Sequence, residues 1–335
     1  MSSGKRTLSY SLAINEAIRQ AMEVDPDVVL LGQGVKSPWY VGNTAQDLLE
    51  EFGPLRVMDT PVSENAVTGA AVGAAIAGLR PIVVHPRIDF MLYAFDPIIN
   101  QAANWHYMSG GSVSVPVVIW GIINRGGEQA AQHSQALHSI FAHIPGLKVV
   151  APANPTDAKG LMIAAIRDDN PVVFIDDRWL YGTKETVPEE AYETEIGKGV
   201  VRRAGTDVTV VAFSYLVPKA MEAAEQLASK SIDCEVIDLR SLKPFDADLV
   251  IGSVRKTGRA VVCDTGWKTG GFGAEIAAQV TEGCWSELTA PVCRVALPDL
   301  PAPASRTLED AYYVGTDSIV HVAEALVGSG SGKTR

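Results

Sequence analysis

The sequence lacks the features that mark several classes of protein. Its four cysteines, Cys234, Cys263, Cys284 and Cys293, show no C-x-x-C spacing, so they indicate neither a zinc site nor a disulfide framework. Lys and Arg total 28 against 39 acidic residues and form no cluster, which argues against nucleic-acid binding. We therefore expect the partners of this protein to be small molecules or other proteins.

Long apolar segments are also missing. The longest run of low charge, Ala66–Leu79, has 14 residues, whereas a membrane span needs about 20, so we interpret it as a buried helix. The amino terminus is polar and amphipathic, with no apolar run typical of a signal peptide. These observations predict a cytoplasmic protein without a membrane span. The Gly- and Ser-rich carboxyl terminus, residues 329–335, is predicted to be a flexible tail.

What is present indicates an α/β protein of two domains. With 47% hydrophobic and 20% charged residues, the 335-residue chain is typical of globular proteins and long enough for two cores. Short apolar runs alternate with helical patterns, first up to about residue 180 and again after residue 200. Gly182–Gly197 interrupts this alternation and is interpreted as a linker. We predict two doubly wound, mainly parallel-sheet domains, over residues 1–190 and 198–328.

The most specific local feature is the segment Val57–Glu64, V-M-D-T-P-V-S-E. A strand-like run ends in a turn that places the carboxylate of Glu64 at the start of a helix, which is where open α/β sheets bind ligands. The alternative is that Ser63 and Glu64 only cap that helix. One face of the helix carries small residues from Ala66 to Ala77, which indicates tight packing in a core or, as a second choice, between subunits.

Two further segments place polar side chains after apolar strands. Pro86–Tyr93 puts Arg87 and Asp89 into an aromatic-rich stretch, and a Gly-rich loop after the next strand ends at His133. Both could be solvated loops, or both could line a site. His133, His138 and His143 recur every five residues, a spacing that fits no helical metal pair.

Taken together and in order, these segments resemble the beta subunit of the thiamine-diphosphate component of pyruvate and branched-chain 2-oxo acid dehydrogenases. The resemblance covers residues 7–325 and rests on E-F-G-P-L-R-V-M-D-T-P-V-S-E, Q-H-S-Q-A-L-H-S-I-F-A-H-I-P-G-L-K-V-V-A-P-A-N-P, D-D-N-P-V-V-F, D-L-R-S-L-K-P-F-D and T-G-G-F-G-A-E. It implies a pyrimidine-binding domain followed by a transketolase C-terminal-like domain. It also implies an oxidoreductase of the acetyl-transferring, pyruvate dehydrogenase type.

The resemblance implies roles for individual residues. Glu64 would contact the pyrimidine ring of thiamine diphosphate and favour the imino tautomer that deprotonates the thiazolium carbon. Phe90 would pack on the pyrimidine, and Val62 would line the cofactor. His133 would position the substrate and assist acyl transfer to lipoamide.

The resemblance also implies ions and partners. A potassium ion would lie near six residues: Val115, Val117, Val118, Ala165, Asp168 and Asn170. The chain has no G-D-G pattern, so an alpha-type chain would hold the diphosphate through magnesium, in an assembly of two alpha and two beta chains. A lipoyl acyltransferase is a further implied partner. The G-G-F-G-A-E segment is too irregular to indicate a dinucleotide site.

Departures from the family pattern leave alternatives open. Pro86 and Arg87 replace the Gln and Phe that family members often carry, and an arginine at this place could bind a substrate carboxylate or phosphate. A two-component carboligase, transketolase-like in moving a two-carbon unit onto a sugar or aldehyde, is therefore an alternative. A scaffold subunit without catalysis is another, although the retention of Glu64 and His133 argues against it.

Overall fold

The computed structural model describes residues 6–330, which fall into two compact units. The first unit takes the chain as far as Arg125 and again from Gln132 to Ile196; the second takes Gly126–Ala131 and the chain from Gly197 onward. Both units alternate strands and helices around a mostly parallel sheet, which confirms the predicted fold class. The change of unit at Ile196 falls in the interval left between the two predicted domains.

The first unit contains eight labelled strands and seven labelled α-helices among its described residues. The strands are β1 (Thr7–Ser9), β2 (Val28–Gly32), β3 (Val57–Asp59), β4 (Arg80–His85), β5 (Val118–Ile123), β6 (Lys148–Val150), β7 (Val172–Asp177) and β8 (Lys184–Thr186). The helices are α1 (Tyr10–Val24), α2 (Pro38–Val41), α3 (Leu48–Phe52), α4 (Glu64–Ile76), α5 (Ala103–Met108), α6 (His138–His143) and α7 (Pro155–Arg167). Shorter 3₁₀ helices cover Gly42–Ala45, Ile88–Ala94, Ala131–His133 and Arg178–Leu180, and a π-helix covers Asp96–Ala102.

The large sheet of this unit places its strands in the order β6-β7-β5-β4-β2-β3, and each of these pairs is parallel. Every residue of β2, β5 and β7 is buried, as expected for a parallel sheet covered on both faces. Because the strands are parallel, their carboxyl ends meet at one edge, where ligands bind in such sheets. The residues that follow β2, β3, β4 and β5 therefore share that edge.

The segment Gly182–Gly197 is not the plain linker that the sequence predicted. Its residues Lys184–Thr186 form β8, which pairs antiparallel with β1. The fully buried ammonium of Lys159, a residue of α7, binds Glu16 at 2.6 Å. The same ammonium donates to three backbone carbonyls, those of Pro188, Glu189 and Glu190, at 2.8–3.0 Å. A buried lysine needs such partners, so these contacts hold the part of the segment around Pro188–Glu190 against the first unit.

Helix α4 was predicted to be buried, and this is wrong for one of its faces. Thr68, Ala71, Val72 and Ala75 are buried against the unit. The opposite face, which carries most of the small residues, is exposed: Ala66, Gly69, Ala70, Gly73 and the following Ala77. Low polarity alone could not reveal which face packs inside, because both faces are apolar.

The second unit has its own sheet. Its strands are β9 (Val200–Arg203), β10 (Val208–Ala212), β11 (Cys234–Asp238), β12 (Ser241–Lys243), β13 (Ala260–Trp267) and β14 (Cys293–Leu297). Its helices are α8 (Leu216–Ser229), α9 (Ala247–Thr257), α10 (Phe272–Cys284), α11 (Arg306–Tyr312) and α12 (Thr316–Gly330). The sheet runs β14-β13-β10-β11-β9, parallel except for β9. Because α12 reaches Gly330, it includes the first two residues of the predicted tail, and the remainder lies outside the described residues.

The glycine-rich segment before α10 does not leave a free helix amino terminus. The buried carboxylate of Asp264 accepts the backbone N–H of Gly273 at 2.7 Å and that of Gly266 at 2.8 Å. An internal carboxylate thus takes the place that a phosphate would occupy at a helix amino terminus. Within residues 6–330, no helix has the length and apolarity needed to cross a membrane.

Candidate functional site

Glu64 lies in the first turn of α4, five residues after the last residue of β3. Ser63 is the residue before the helix, and its side chain makes no capping hydrogen bond. The carboxylate of Glu64 makes no hydrogen bond or ion pair with any residue of the described range 6–330. The carboxylate is therefore available to a ligand, and its place in the first turn also suits the helix dipole.

A pocket of about 620 Å³ opens beside this carboxylate. Its lining residues are Gln33, Val62, Ser63, Glu64, Asn65, Ala66, Phe90 and Tyr93. The three residues for which the sequence predicted cofactor contacts, Val62, Glu64 and Phe90, thus line one pocket. Its volume falls in the range of about 300–1,000 Å³ that small-molecule sites occupy.

Gln33 was not predicted to belong to the site, and Tyr93 was named only as the end of the segment Pro86–Tyr93, for which a solvated loop and a site lining were both left open. Gln33 directly follows β2, so the sheet-edge rule that drew attention to Glu64 could also have found it. Gly32 allows β2 to lie close to β4, since a Cβ at Gly32 would be 2.4 Å from the carbonyl oxygen of Val84. Next to Gln33, the backbone N–H of Gly34 donates to Asp59 at 2.7 Å. Tyr93 is 74% exposed, and it lies in the aromatic-rich segment that follows β4.

A buried histidine ties α4 to the end of β4. His85 Nε2 lies 3.1 Å from the hydroxyl of Thr68, which points inward from α4. Burial lowers the pKa of His85 to about 4, so the imidazole is neutral near pH 7. This contact fixes the helix that carries Glu64 relative to the strand that leads to Phe90.

His133 lies beside the pocket without lining it. It ends the 3₁₀ helix Ala131–His133, and its ring meets the ring of Phe90 edge-on, with centroids 5.3 Å apart and planes at 83°. Phe90 in turn lines the pocket. The structure therefore brings the predicted histidine next to a predicted cofactor residue, although 43 positions separate them in the sequence.

Asp89 contacts the same region through hydrogen bonds to Gln135. Its side chain is 5% exposed, and its Oδ1 accepts the backbone N–H of Gln135 at 3.1 Å and the side-chain Nε2 of Gln135 at 2.8 Å. Burial raises the pKa of Asp89, whereas these hydrogen bonds and the charge of His133 lower it.

Arg87 is absent from the pocket lining given above. It is 9% exposed, and its Nη1 donates to the carbonyl of Pro86 at 2.8 Å. Burial lowers its pKa, as does the positive charge of Arg178, while Asp89 raises it. Its role in binding a substrate anion stays a prediction.

A second group of buried acids lies at the end of β7. Burial raises the pKa of Asp176 to about 7, although the hydroxyl of Tyr181 donates to its Oδ2 at 2.7 Å and Trp120 Nε1 donates at 3.3 Å. The next residue, Asp177, pairs with Arg125 at 3.0 Å. No pattern in the sequence pointed to either acid.

The six residues predicted to surround a potassium ion lie near the start of β5, the end of α7 and the turn before β7. The carbonyl of Val115 accepts the N–H of Val117 at 2.9 Å, and the carbonyl of Val117 accepts the N–H of Val172 at 3.0 Å. The backbone of Val118 belongs to β5, and Ala165 lies inside α7. Each of the two engaged carbonyls keeps one lone pair for a further interaction.

Two cationic side chains are also present there. The ammonium of Lys148 pairs with the carboxylate of Asp168, and Arg80 donates to the carbonyl of Asp168 at 3.2 Å. The same carboxylate accepts the backbone N–H of Asn170 at 2.9 Å. Fixed positive charge beside a site opposes a second cation, so the fit to potassium is partial. In the described part of the chain, no cluster of three or more Asp, Glu, His and Cys residues could hold a metal ion.

Comparison with known families and proteins shows what the chain as a whole is similar to. Residues 6–184 match the family described as transketolase, pyrimidine binding domain, and residues 197–319 match transketolase, C-terminal domain. Among curated proteins, the chain is 44% identical to the beta subunit of acetoin:2,6-dichlorophenolindophenol oxidoreductase from Cupriavidus necator, over 97% of this chain and 99% of that protein. It is 45% identical to the beta subunit of the pyruvate dehydrogenase E1 component from Rickettsia felis, over 89% and 93%.

A solved structure shares the fold. It is titled split gene transketolase, inactive beta4 tetramer, and matches with a TM-score of 0.77 over 96% of this chain and 98% of that chain. At 24% sequence identity, this likeness concerns the fold alone.

Proposed function

The chain belongs to the family of thiamine-diphosphate-dependent dehydrogenase beta subunits built from transketolase pyrimidine-binding and C-terminal domains, and from this premise we propose that it forms half of an active site. Its half would bind the pyrimidine ring, and an alpha-type chain would bind the diphosphate. The observation that carries the proposal is the pocket that joins Glu64, Val62 and Phe90.

The chemistry of these side chains suits the pyrimidine. An aromatic ring and a branched aliphatic side chain offer apolar contact to a heterocycle. A proton shared between the carboxyl group of Glu64 and a ring nitrogen would make one directional hydrogen bond. When bound, thiamine diphosphate supplies the carbanion nucleophile and the electron sink for cleavage beside a carbonyl group. Glu64 then holds or accepts the proton that this activation requires, and His133 orients the substrate next to Phe90.

We propose two donor substrates for this site. The first is a 2-oxo acid of the pyruvate type, in line with the name of the Rickettsia relative. The second is acetoin, in line with the name of the Cupriavidus relative. The lining favours the second, because Glu64 is the only charged residue among the lining residues and none is basic. A carboxylate substrate would need a cation from Arg87 or from the partner chain, whereas neutral acetoin needs none.

Several partners and ions complete the proposal. The assembly would contain two alpha and two beta chains, with magnesium held mainly by the alpha chain. Potassium would bind near Asp168, where the ammonium of Lys148 competes with it for the carboxylate. A lipoyl acyltransferase would accept the acyl group. A cytoplasmic location is supported by the four cysteines, which are all free thiols, as expected in a reducing compartment.

The alternatives remain distinguishable. A carboligase would need to bind an aldehyde or sugar acceptor, and the exposed Tyr93 at the pocket is the residue most open to one. A scaffold without catalysis would have no use for an unengaged carboxylate beside an aromatic ring.

The decisive experiment is to co-express the chain with an alpha-type chain from the same genome and measure reduction of 2,6-dichlorophenolindophenol. Pyruvate, a branched 2-oxo acid and acetoin would be compared in this assay with and without thiamine diphosphate. Transfer of a two-carbon unit from pyruvate to an aldehyde reduces no dye, so its product would be measured separately by chromatography. We expect cofactor-dependent turnover with acetoin or pyruvate. Equal rates with and without the cofactor, in an assembled complex, would contradict the proposal.

A further inference from the structure

The loop that carries His133 has little regular structure of its own. Between the end of β5 at Ile123 and the start of α6 at His138, the only helical element is the 3₁₀ helix Ala131–His133. Two non-glycine residues of the loop, Glu128 and Ala130, have left-handed backbone conformations with φ near 60°. No strand ladder or long helix therefore determines where the imidazole of His133 lies, so side-chain contacts must do so.

Asp89 makes two of these contacts, both close to His133 in the sequence. Its buried Oδ1 receives both donors of Gln135, the backbone N–H and the side-chain amide, two positions after His133. Two donors from one residue that converge on one oxygen fix the backbone of Gln135 and the direction of its side chain. The other oxygen, Oδ2, is buried without a hydrogen-bond partner in the described residues, so Oδ1 provides the polar attachment.

The same two segments meet again through their rings. Phe90, the neighbour of Asp89, meets His133 edge-on with centroids 5.3 Å apart. A single contact would leave the loop free to rotate about it, whereas two contacts at different residues remove that rotation. The carboxylate and the ring thus attach the loop to the 3₁₀ helix Ile88–Ala94 at two points.

We propose that Asp89 is a positioning residue: through Gln135 it keeps the imidazole of His133 against the edge of Phe90 at the pocket. Its catalytic consequence rests on the proposed function, but its structural consequence does not. Misplacement of a substrate-orienting group by about 1 Å can reduce turnover roughly a hundredfold. Loss of Asp89 should therefore impair turnover although Asp89 does not line the pocket.

Three variants separate the carboxylate's roles. Asp89→Asn keeps an oxygen that can accept both Gln135 donors, and Asp89→Ala removes it. Asp96→Ala is the matched control, since Asp96 is exposed and, within residues 6–330, bonds only the side chains of Asn100 and Gln101. If Asp89→Ala fails to fold, Gln135→Met replaces it, because this change removes the side-chain donor and leaves Asp89 intact.

The first readout is independent of activity. The purified full-length chain is treated with diethyl pyrocarbonate, and peptide mass spectrometry gives the modification rate of His133 and, as internal references, of His106 and His143. We expect His133 to be modified several times faster in Asp89→Ala or Gln135→Met, and at the wild-type rate in Asp89→Asn and Asp96→Ala. A wild-type rate in a folded Asp89→Ala or Gln135→Met chain would overturn the inference.

The second readout is steady-state turnover of the enzyme assembled with its alpha-type chain. We expect Asp89→Ala to lower kcat roughly ten- to a hundredfold with little change in the affinity for thiamine diphosphate. Asp89→Asn should keep most of the wild-type kcat. A wild-type kcat in assembled Asp89→Ala would overturn the inference and leave the proposed function standing. If no assembly shows thiamine-dependent turnover, the proposed function fails, and the modification rates still decide the role of Asp89.

Discussion

Glu64 and Phe90 line the same pocket, although Glu64 begins a helix after β3 and Phe90 follows β4. The hydrogen-bonded pair Thr68 and His85 connects the helix of the first to the strand that precedes the second. The pocket thus forms because the parallel sheet brings the residues after β3 and β4 to the same edge.

Replacement of Glu64 by Gln should nearly abolish activity without loss of stability. The amide cannot take part in proton transfer, a role that is typically worth about a hundredfold or more in rate. A helix cap alone would give the opposite pattern, about 1 kcal/mol less stability and unchanged turnover. Thermal melts and dye reduction by the assembled enzyme check both. Glu275→Gln, a first-turn acid of α10, is the matched control and should leave turnover unchanged.

The isolated chain should bind thiamine diphosphate weakly or not at all in the presence of magnesium. Its pocket offers contacts for a ring but, among the described residues, no acidic cluster for a metal ion. Titration calorimetry on the chain alone and on the assembled enzyme measures the difference. Micromolar or tighter binding by the chain alone would show that the diphosphate site has been assigned to the wrong subunit.

Replacement of Arg87 by Phe distinguishes the two donor substrates. If the guanidinium binds a substrate carboxylate, the Michaelis constant for pyruvate should rise roughly ten- to a hundredfold, since a charge-assisted hydrogen bond contributes about 1.5–3 kcal/mol. The constant for neutral acetoin should stay unchanged. Unaltered relative specificity, together with a lower melting temperature, would mean that Arg87 only orders its segment through the carbonyl of Pro86.

Asp176 should make the protein less stable as the pH rises from about 4 to about 7. Its pKa is about 7 in the folded protein against the ordinary value of 3.8, so the folded state holds the proton more tightly than the unfolded state. The contribution of this proton to the free energy of unfolding is complete when the pH is below the ordinary pKa. It is lost as the pH rises through the folded pKa, by at most about 1.4 kcal/mol per pH unit.

Asp176→Asn mimics the protonated acid and isolates this effect from Asp177, Arg178, Tyr181 and Tyr10, which also influence the region. The variant should gain melting temperature over the wild type as the pH rises from 5 to 8. The exposed Asp310→Asn is the control. A constant difference for Asp176→Asn would contradict the assigned protonation.

Gly73→Leu should leave the isolated chain folded and disturb its assembly. A Cβ at Gly73 meets nothing within 4 Å, and the surrounding small-residue face of α4 is exposed. A leucine there adds helix propensity of about 0.5–1 kcal/mol but blocks close approach of another backbone. Analytical ultracentrifugation with and without the alpha-type chain measures assembly. Gly252→Leu, at an equally open position in α9, should assemble normally.

Much of the site could be predicted from local sequence because it follows rules of short range. The apolar runs of β2, β4, β5 and β7 form strands since only a buried parallel sheet accommodates them, and a carboxylate that follows such a strand lies at the ligand-binding edge. This reasoning led to Glu64, and the family resemblance added Val62 and Phe90.

The remainder depended on contacts between distant parts of the chain. The supposed linker became β8 because β1, more than 170 residues earlier, offers it an antiparallel edge. Gln33 and Tyr93 join the pocket because of how β2 and the helix after β4 lie in space.

The sequence by itself determined the alternation of strands and helices, the family and the carboxylate at the start of α4, because each follows from local pattern and residue type. Only the tertiary structure decided that the small-residue face of α4 points outward, that Arg87 lies outside the pocket lining and that Asp89 bonds Gln135. Burial, side-chain direction and pairing at long range follow from the packing of the whole sheet, and no local pattern encodes them.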